Sequence, residues 1–406
     1  MASDLDKIQK YRDLETQLRT HIASSDYTPE AFQLATKISR LNPEYYTVWN
    51  VRRRLLTSGL LSKPSVGSSP SKASPNSSQT DTTITCSADS SSSSSIATQQ
   101  NPKSQTTGKN GITVDPTEKE DGGTKDVDDD QRSQAEKQQN DLNVLESELQ
   151  FTVPLLMEFP KCYWIWKYRS WLLQQANDRL EPAITRRIWE EELGLDTKML
   201  TKDRRNFHAW NYRRNVVKQL ESSALNGKSM VESEFEFTRK MIQMDLSNFS
   251  AWHNRSKLIP RLLQERGADD VARRKFFDDE LALIRDALNV GPEDQSLWYY
   301  HQFLMLDVID QSGQPTITSN LSVQEKVAYI NREIVDIKDL LEDYDDCKLL
   351  YERLMDYTRE LVTLEKRRPS SDEESALRTW LSKLRKLDPL RNGRWNDIGK
   401  QLALDK

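Results

Sequence analysis

The sequence predicts an all-α protein, a curved double layer of about six antiparallel helical hairpins. Three observations carry this. A tryptophan recurs in similar surroundings at Trp49, Trp166, Trp210, Trp252 and Trp298, with spacings of 44, 42 and 46 residues after Trp166. A chain breaker precedes several of these blocks: Asn42-Pro43, Pro160, Gly291-Pro292 and, near the C-terminus, Asp388-Pro389. Between them lie apolar residues at helical spacing, such as Phe277, Leu281, Ile284 and Leu288, one face of an amphipathic helix. No stretch alternates as a strand does.

In chain order, residues 1–61 read as the first helical hairpin, 62–141 as an insertion and 142–406 as the remaining solenoid. The insertion has no Leu, Phe, Trp, Tyr or Met, a serine run at Ser90–Ser95 and an acidic cluster at Asp126–Asp130. Such a segment buries too little apolar surface to offset its chain entropy, so disorder is expected throughout it. Trp49 and Trp166 are 117 residues apart, and removing the 80-residue insertion leaves 37, close to the repeat period. Further on, Ile330, Ile334, Ile337 and Leu341 mark one helix, and Leu350, Leu354, Tyr357, Leu361 and Leu364 another. A degenerate sixth copy centres on Trp395, and Ser371 with Glu374 has the spacing of a capping box for its hairpin.

Composition excludes several classes. The 406 residues carry 58 Lys+Arg against 63 Asp+Glu, a net charge of −5, which argues against a domain built to neutralise nucleic-acid phosphate. No apolar run reaches the ~20 residues of a membrane span, and the first ten residues lack a signal-peptide core. Cys86, Cys162 and Cys347 have no metal spacing. A cytoplasmic protein without a metal site of its own is expected.

An Arg follows the Trp by three residues in four copies, at Arg52, Arg169, Arg213 and Arg255, with His301 in the fifth. The structural reading of this Trp/Arg pattern is a plug between hairpins, with the guanidinium stacked on a ring or bonded to carbonyl groups. Function is then sought where one copy departs from the rest. In the copies with Pro six residues before the Trp, the next residue is Glu44, Lys161 or Glu293, so only one is a cation. Two residues before the Trp stand Thr47, Trp164, His208, Ser250 and Ser296, and only one is an imidazole. Lys161 and His208 belong to consecutive repeats and can converge on one anion. By themselves, such residues also fit a solvated lysine and a packing histidine.

The blocks YWIW at 163–166, RNFHAWNYRR at 205–214, SNFSAWHNRS at 247–256 and EDQSLWYYHQFL at 293–304 resemble the α-subunit repeats of protein prenyltransferases, specifically the Rab geranylgeranyltransferase (type II) family. The resemblance implies a right-handed α-α superhelix, a crescent wrapped around a β subunit that holds Zn2+ and the isoprenoid pocket. It implies transfer of geranylgeranyl from geranylgeranyl diphosphate to C-terminal cysteines (-CC and -CXC types) of Rab GTPases presented by Rab escort protein. By position, Lys161 matches the family's lysine beside the departing diphosphate, and His208 a histidine near it, with Asn206 in the same neighbourhood. Tyr163, like Trp49, Trp166, Trp210, Trp252, Trp298 and the arginines, falls in the repeat framework. Phe207 replaces a tyrosine of farnesyltransferase, and Trp164 replaces the glutamine that there binds a peptide carboxylate. The second departure favours type II over the α subunit shared by farnesyltransferase and geranylgeranyltransferase type I. A non-catalytic helical scaffold is the rival of another class; it would not need Lys161 or His208.

Overall fold

The computed structural model describes residues 2–64, 125–309, 317, 318 and 320–402. Each breaker closes a four-residue turn between two antiparallel helices. The N–H of Cys162 donates to the Phe159 carbonyl at 3.0 Å, that of Asn206 to Asp203 at 3.2 Å and that of Asn248 to Asp245 at 3.1 Å. After α1 (Ala2–Ala23), the described helices pair as α2–α3 (Pro29–Leu41, Tyr46–Leu55), α4–α5 (Lys125–Glu158, Tyr163–Arg179) and α6–α7 (Pro182–Lys202, Phe207–Leu220). Then follow α8–α9 (Val231–Met244, Phe249–Glu265), α10–α11 (Asp270–Val290, Gln295–Ile309), α12–α13 (Val323–Asp343, Lys348–Leu364) and α14–α15 (Ser371–Leu387, Asn392–Gln401). Among the described residues there are seven hairpins and no strand, stacked as a right-handed α-α superhelix.

Two devices build the stack. The first is a shared carbonyl. Trp166 Nε1 donates to the Pro160 carbonyl, six residues back, at 2.9 Å, and Asn206 Nδ2 of the next hairpin donates to the same oxygen at 2.9 Å. Trp210 and Asn248 share the Arg204 carbonyl in the same way. Trp49 shares the Pro43 carbonyl with the Cys162 thiol, and Trp298 shares that of Pro292 with Cys347. Each tryptophan thus satisfies a turn carbonyl that would otherwise be orphaned inside the stack. In the sixth hairpin Tyr351 takes the tryptophan's place, its hydroxyl donating to the Asp345 carbonyl at 2.6 Å. That copy lacks the tryptophan, so Trp395 belongs to the seventh hairpin rather than the sixth.

The second device is a buried ion pair. Arg52, Arg169, Arg213 and Arg255 each grip a glutamate on the first helix of the next hairpin: Glu148, Glu192, Glu234 and Glu280, at 2.5–2.7 Å. His301 takes the same part, with Nε2 2.8 Å from Glu333 and Nδ1 2.8 Å from the Tyr357 hydroxyl. The guanidiniums also lie over rings, Arg213 over Phe237 at 3.5 Å and Arg255 over Phe235 at 3.7 Å. Every one of these glutamates stands 18 residues before the next hairpin's Trp or Tyr351. That regularity was readable in the sequence, and the arginine-centred reading missed it.

Two expectations change. The capping box at α14 is Ser370 with Glu373, not Ser371 with Glu374. Both serines have a glutamate at +3, and Arg367, which clamps Glu373 through two 2.6 Å bonds, selects the earlier register. The segment expected to be disordered through residue 141 is helical from Lys125 onward. Its last part is rich in Asp, Glu, Gln and Lys, which suit an exposed helix and an acidic first turn without needing large apolar side chains. Residues 65–124 lie outside the described residues.

Candidate functional site

The hairpin turns fix the geometry of one edge. In each turn the residue just before the N-cap projects outward, and along the stack these residues are Glu44, Lys161, Arg205, Ser247 and Glu293. Comparing only the proline-bearing copies singled out Lys161. The turns give Arg205 the equivalent place in the third hairpin, so this edge carries two cations. They differ in how they are held. Arg205 grips Asp245 with two bonds of 2.8 Å, and the guanidinium holds that carboxyl below its usual range. Lys161 is 74% exposed, and its Nζ lies 3.7 Å from Asp203 Oδ2, a loose surface pair of small energetic weight that an incoming anion can displace.

His208 sits in the first turn of α7, one hairpin on from Lys161. Asn206 is the N-cap of that helix. Its Oδ1 accepts from the backbone N–H groups of His208 and Ala209, and its Nδ2 is spent on the Pro160 carbonyl. Asn206 is 1% exposed, so it stands behind the edge and ties the Lys161 turn to the helix bearing His208. The imidazole lies between Phe207, 4.0 Å centroid to centroid, and Tyr163 at 6.2 Å. Burial pushes its pKa below the ordinary value, Glu44 opposes that and Lys161 adds to it. His208 is therefore neutral at pH 7 and offers one ring N–H beside the Lys161 ammonium.

Tyr163, grouped above with the framework, is not part of it. It is half exposed and meets Trp164 edge-on at 5.2 Å, while Trp164 lies 5.3 Å from Tyr46 of the preceding hairpin. Tyr46, Tyr163, Phe207 and Phe249 occupy the same place three residues before their tryptophans, and all four are exposed. An apolar row of this kind marks a surface that meets another molecule. The Cys162 thiol, close by, is buried, and burial pushes its pKa up to about 11; it is a framework donor rather than a nucleophile. Among the described residues, no group of three or more His, Cys, Asp or Glu is placed to hold a metal ion, and no helix is long and apolar enough to cross a membrane.

Fold and edge together define a class: a helical-hairpin solenoid with an exposed lysine and an imidazole on adjacent turns of one edge, beside an exposed aromatic row. The protein prenyltransferase alpha subunit repeat matches residues 28–59, 145–176, 189–220, 231–262 and 277–307, the first five hairpins. Among relatives, the geranylgeranyl transferase type-2 subunit alpha of Saccharomyces cerevisiae is 31% identical over 63% of this chain and 73% of its own length. That of Candida albicans is 27% identical over 98% of this chain and 92% of its own. A solved Candida albicans protein geranylgeranyltransferase-I chain, at 17% identity, covers 97% of this chain with 90% of its own and superposes with a TM-score of 0.52, a likeness of fold. The chain belongs to the protein prenyltransferase α-subunit family, among the type-2 geranylgeranyltransferase α subunits.

Proposed function

We propose that the chain is the α subunit of a heterodimeric Rab geranylgeranyltransferase. It acts with a β subunit to transfer geranylgeranyl from geranylgeranyl diphosphate to the C-terminal cysteines of Rab GTPases presented by Rab escort protein. One observation supports the chemical part: Lys161 and His208 sit on the turns of consecutive hairpins, and the ring of Tyr163, two residues after Lys161, lies 6.2 Å from that of His208. Cleavage of the prenyl carbon–oxygen bond builds negative charge on the departing diphosphate. A preorganised cation and an N–H donor stabilise that charge as it develops. Lys161 supplies the charge and His208 the hydrogen bond. Asn206 holds the two in register, and the aromatic row seats the partner that closes the site and excludes water. Zinc, placed by this reading on the β subunit, lowers the pKa of the acceptor thiol.

Trp164 favours Rab proteins over CaaX peptides as substrate. It packs on Tyr46 and Tyr163 and presents a ring where binding a terminal carboxylate calls for an amide donor. The test is co-expression with a type-2 β subunit, then prenyl transfer measured with Rab plus escort protein and, separately, with a CaaX peptide. Transfer to Rab alone supports the reading. Transfer to the CaaX peptide by a farnesyltransferase-type heterodimer would replace it with the shared α subunit, and assembly without any transfer would leave a scaffold.

A further inference from the structure

His208 is bonded through its backbone N–H, to Asn206 Oδ1 at 3.0 Å; among the described residues no side chain hydrogen-bonds its ring. The rings of Phe207 and Tyr163 flank the imidazole without fixing a ring nitrogen. Its place on the edge is therefore set by the backbone at the start of α7, and by whatever holds that backbone.

The turns are tied to one another unequally. A thiol joins the first turn to the second, Cys162 Sγ donating to the Pro43 carbonyl at 3.4 Å, and another joins the fifth to the sixth, Cys347 Sγ to Pro292 at 3.4 Å. A hydroxyl joins the fourth to the fifth, Ser296 Oγ to the Ser247 carbonyl at 3.3 Å. Thiols are weak donors. The turn before α7, Asp203–Asn206, is held instead by carboxamides on both sides: Asn206 Nδ2 to the Pro160 carbonyl and Asn248 Nδ2 to the Arg204 carbonyl, each at 2.9 Å.

An ion pair strengthens the same turn. In one register the third residue of a turn faces the first residue of the next, which pairs Glu44 with Phe159, Lys161 with Asp203, Arg205 with Asp245, Ser247 with Gly291, Glu293 with Tyr344 and Asp346 with Asp388. Opposite charges meet at two consecutive junctions, those on either side of the Asp203–Asn206 turn. The Lys161–Asp203 contact is loose at 3.7 Å, whereas Arg205 makes two bonds of 2.8 Å to Asp245. Asp245 is itself anchored, its Oδ1 accepting from the Ser247 backbone N–H at 3.2 Å. At the last junction Lys348, two residues beyond Asp346, reaches Asp388 at 3.3 Å, far from this edge's lysine and histidine.

We propose that Arg205 and Asp245 are positioning residues for His208: the clamp fixes the first turn of α7 against the fourth turn, so that the unbonded imidazole keeps its place one turn along from Lys161. The bidentate fork gives a direction as well as an attraction, which a lysine in this place would not. Such support matters because a small displacement of a group acting in the transition state costs rate out of proportion to stability. This inference rests on the role given to His208 above.

The experiment uses the heterodimer assembled by co-expression with the type-2 β subunit, and reads single-turnover prenyl transfer to Rab plus escort protein alongside prenyl-diphosphate affinity. R205A and D245N should each slow transfer by about threefold to tenfold, with affinity and melting temperature nearly unchanged. R205K should fall between R205A and the unmodified chain. The decisive variant is R205A/H208A, which should be no slower than H208A, because a clamp that acts through the imidazole has nothing left to position. R266A, which breaks an exposed ion pair with Glu232 at the opposite edge, should leave the rate alone. Where R205A does not assemble, R205K and R205K/H208A make the same comparison. If the arginine variant slows H208A by the same factor as it slows the unmodified chain, or slows neither, the positioning role is overturned and the proposed function stands. H208A at the full rate would overturn both the positioning role and the part given to His208, with transfer to Rab intact. Absence of transfer by the unmodified heterodimer would overturn the proposed function and this inference with it.

Discussion

Ser62 and Asp141, 79 residues apart in sequence, are joined by two hydrogen bonds: the Ser62 backbone N–H to Oδ1 at 2.8 Å and the Ser62 hydroxyl to Oδ2 at 2.5 Å. Asn140 Nδ2 also donates to the Leu60 carbonyl at 3.0 Å, and Arg179 Nε to the Ser62 carbonyl at 2.9 Å. The insertion thus leaves and re-enters the solenoid at a clasp, and Asp141 is 1% exposed.

The clasp separates two deletions. Replacing residues 65–124 with a short Gly-Ser linker should leave assembly and turnover nearly unchanged, because the entropic cost of closing a chain segment changes only slowly with its length. Removing 62–141 takes away the clasp and the start of α4, and should lower stability. Asp141→Ala isolates the clasp. It leaves the Ser62 N–H without its acceptor and should cost about 1–3 kcal/mol, measured by denaturant unfolding of the heterodimer.

The inter-hairpin ion pairs predict an asymmetry. Arg169→Ala leaves Glu192, 3% exposed, without its counter-charge, and should cost about 3–5 kcal/mol. Arg266→Ala breaks an equally short but exposed pair with Glu232 and should cost no more than about 1 kcal/mol. Equal losses for the two variants would mean that the repeat arginines act as surface charges.

Legibility followed repetition. The tryptophans, breakers and apolar stripes recur, so element order could be read with no partner in view. Tyr351 broke the pattern by keeping the hydrogen bond while changing the ring, so the two helices legible around Ile330–Leu341 and Leu350–Leu364 were not recognisable as a copy of the repeat. The glutamates were hidden differently. An arginine's partner lies on another hairpin, and only the constant 18-residue offset betrays it. At the edge, copy-by-copy comparison brought Lys161 and His208 to adjacent turns, but Arg205 escaped because its turn lacks the proline. Whether a cation is free or already gripped, as Arg205 is by Asp245, depends on distances that no spacing contains.

Asp196 gives a prediction for pH. It stands four residues after Glu192, where the equivalent residue after Glu148 and Glu234 is threonine: Thr152 and Thr238. It is fully buried, both its carboxylate oxygens lack hydrogen-bond partners, and Arg213 is 3.6 Å away. Burial raises its pKa to about 8; Arg213 opposes this, while Glu192 and Glu234 reinforce it. The folded state therefore binds a proton that the unfolded chain has released, and stability falls as pH rises from the unfolded carboxylate range up to about 8. Asp196→Thr should remove this burden. We expect a higher melting temperature for the variant, with a gain that grows between pH 5 and pH 8 and then levels off. A gain that is uniform across pH would point to packing rather than ionisation.

The edge gives the last prediction. Lys161→Ala should lower the single-turnover rate by ~10²–10³, with a smaller effect on prenyl-diphosphate affinity. The charge that Lys161 would neutralise grows as the bond breaks, so the contact is worth more in the transition state than in the ground state. His208→Ala should act in the same direction but less, since a neutral imidazole contributes a hydrogen bond rather than a full charge. Asp203→Asn releases Lys161 from its contact with the Asp203 carboxylate and should leave the rate unchanged or slightly raised. Glu44, on the equivalent turn of the first hairpin, is no bystander, because its carboxylate partly offsets the burial that lowers the pKa of His208. Glu293, the equivalent exposed residue of the fifth hairpin, is the proper control, and Glu293→Gln should leave turnover alone. If Lys161→Ala and Glu293→Gln give the same rate in an intact heterodimer, Lys161 is a solvated lysine and the diphosphate leaves by way of other groups.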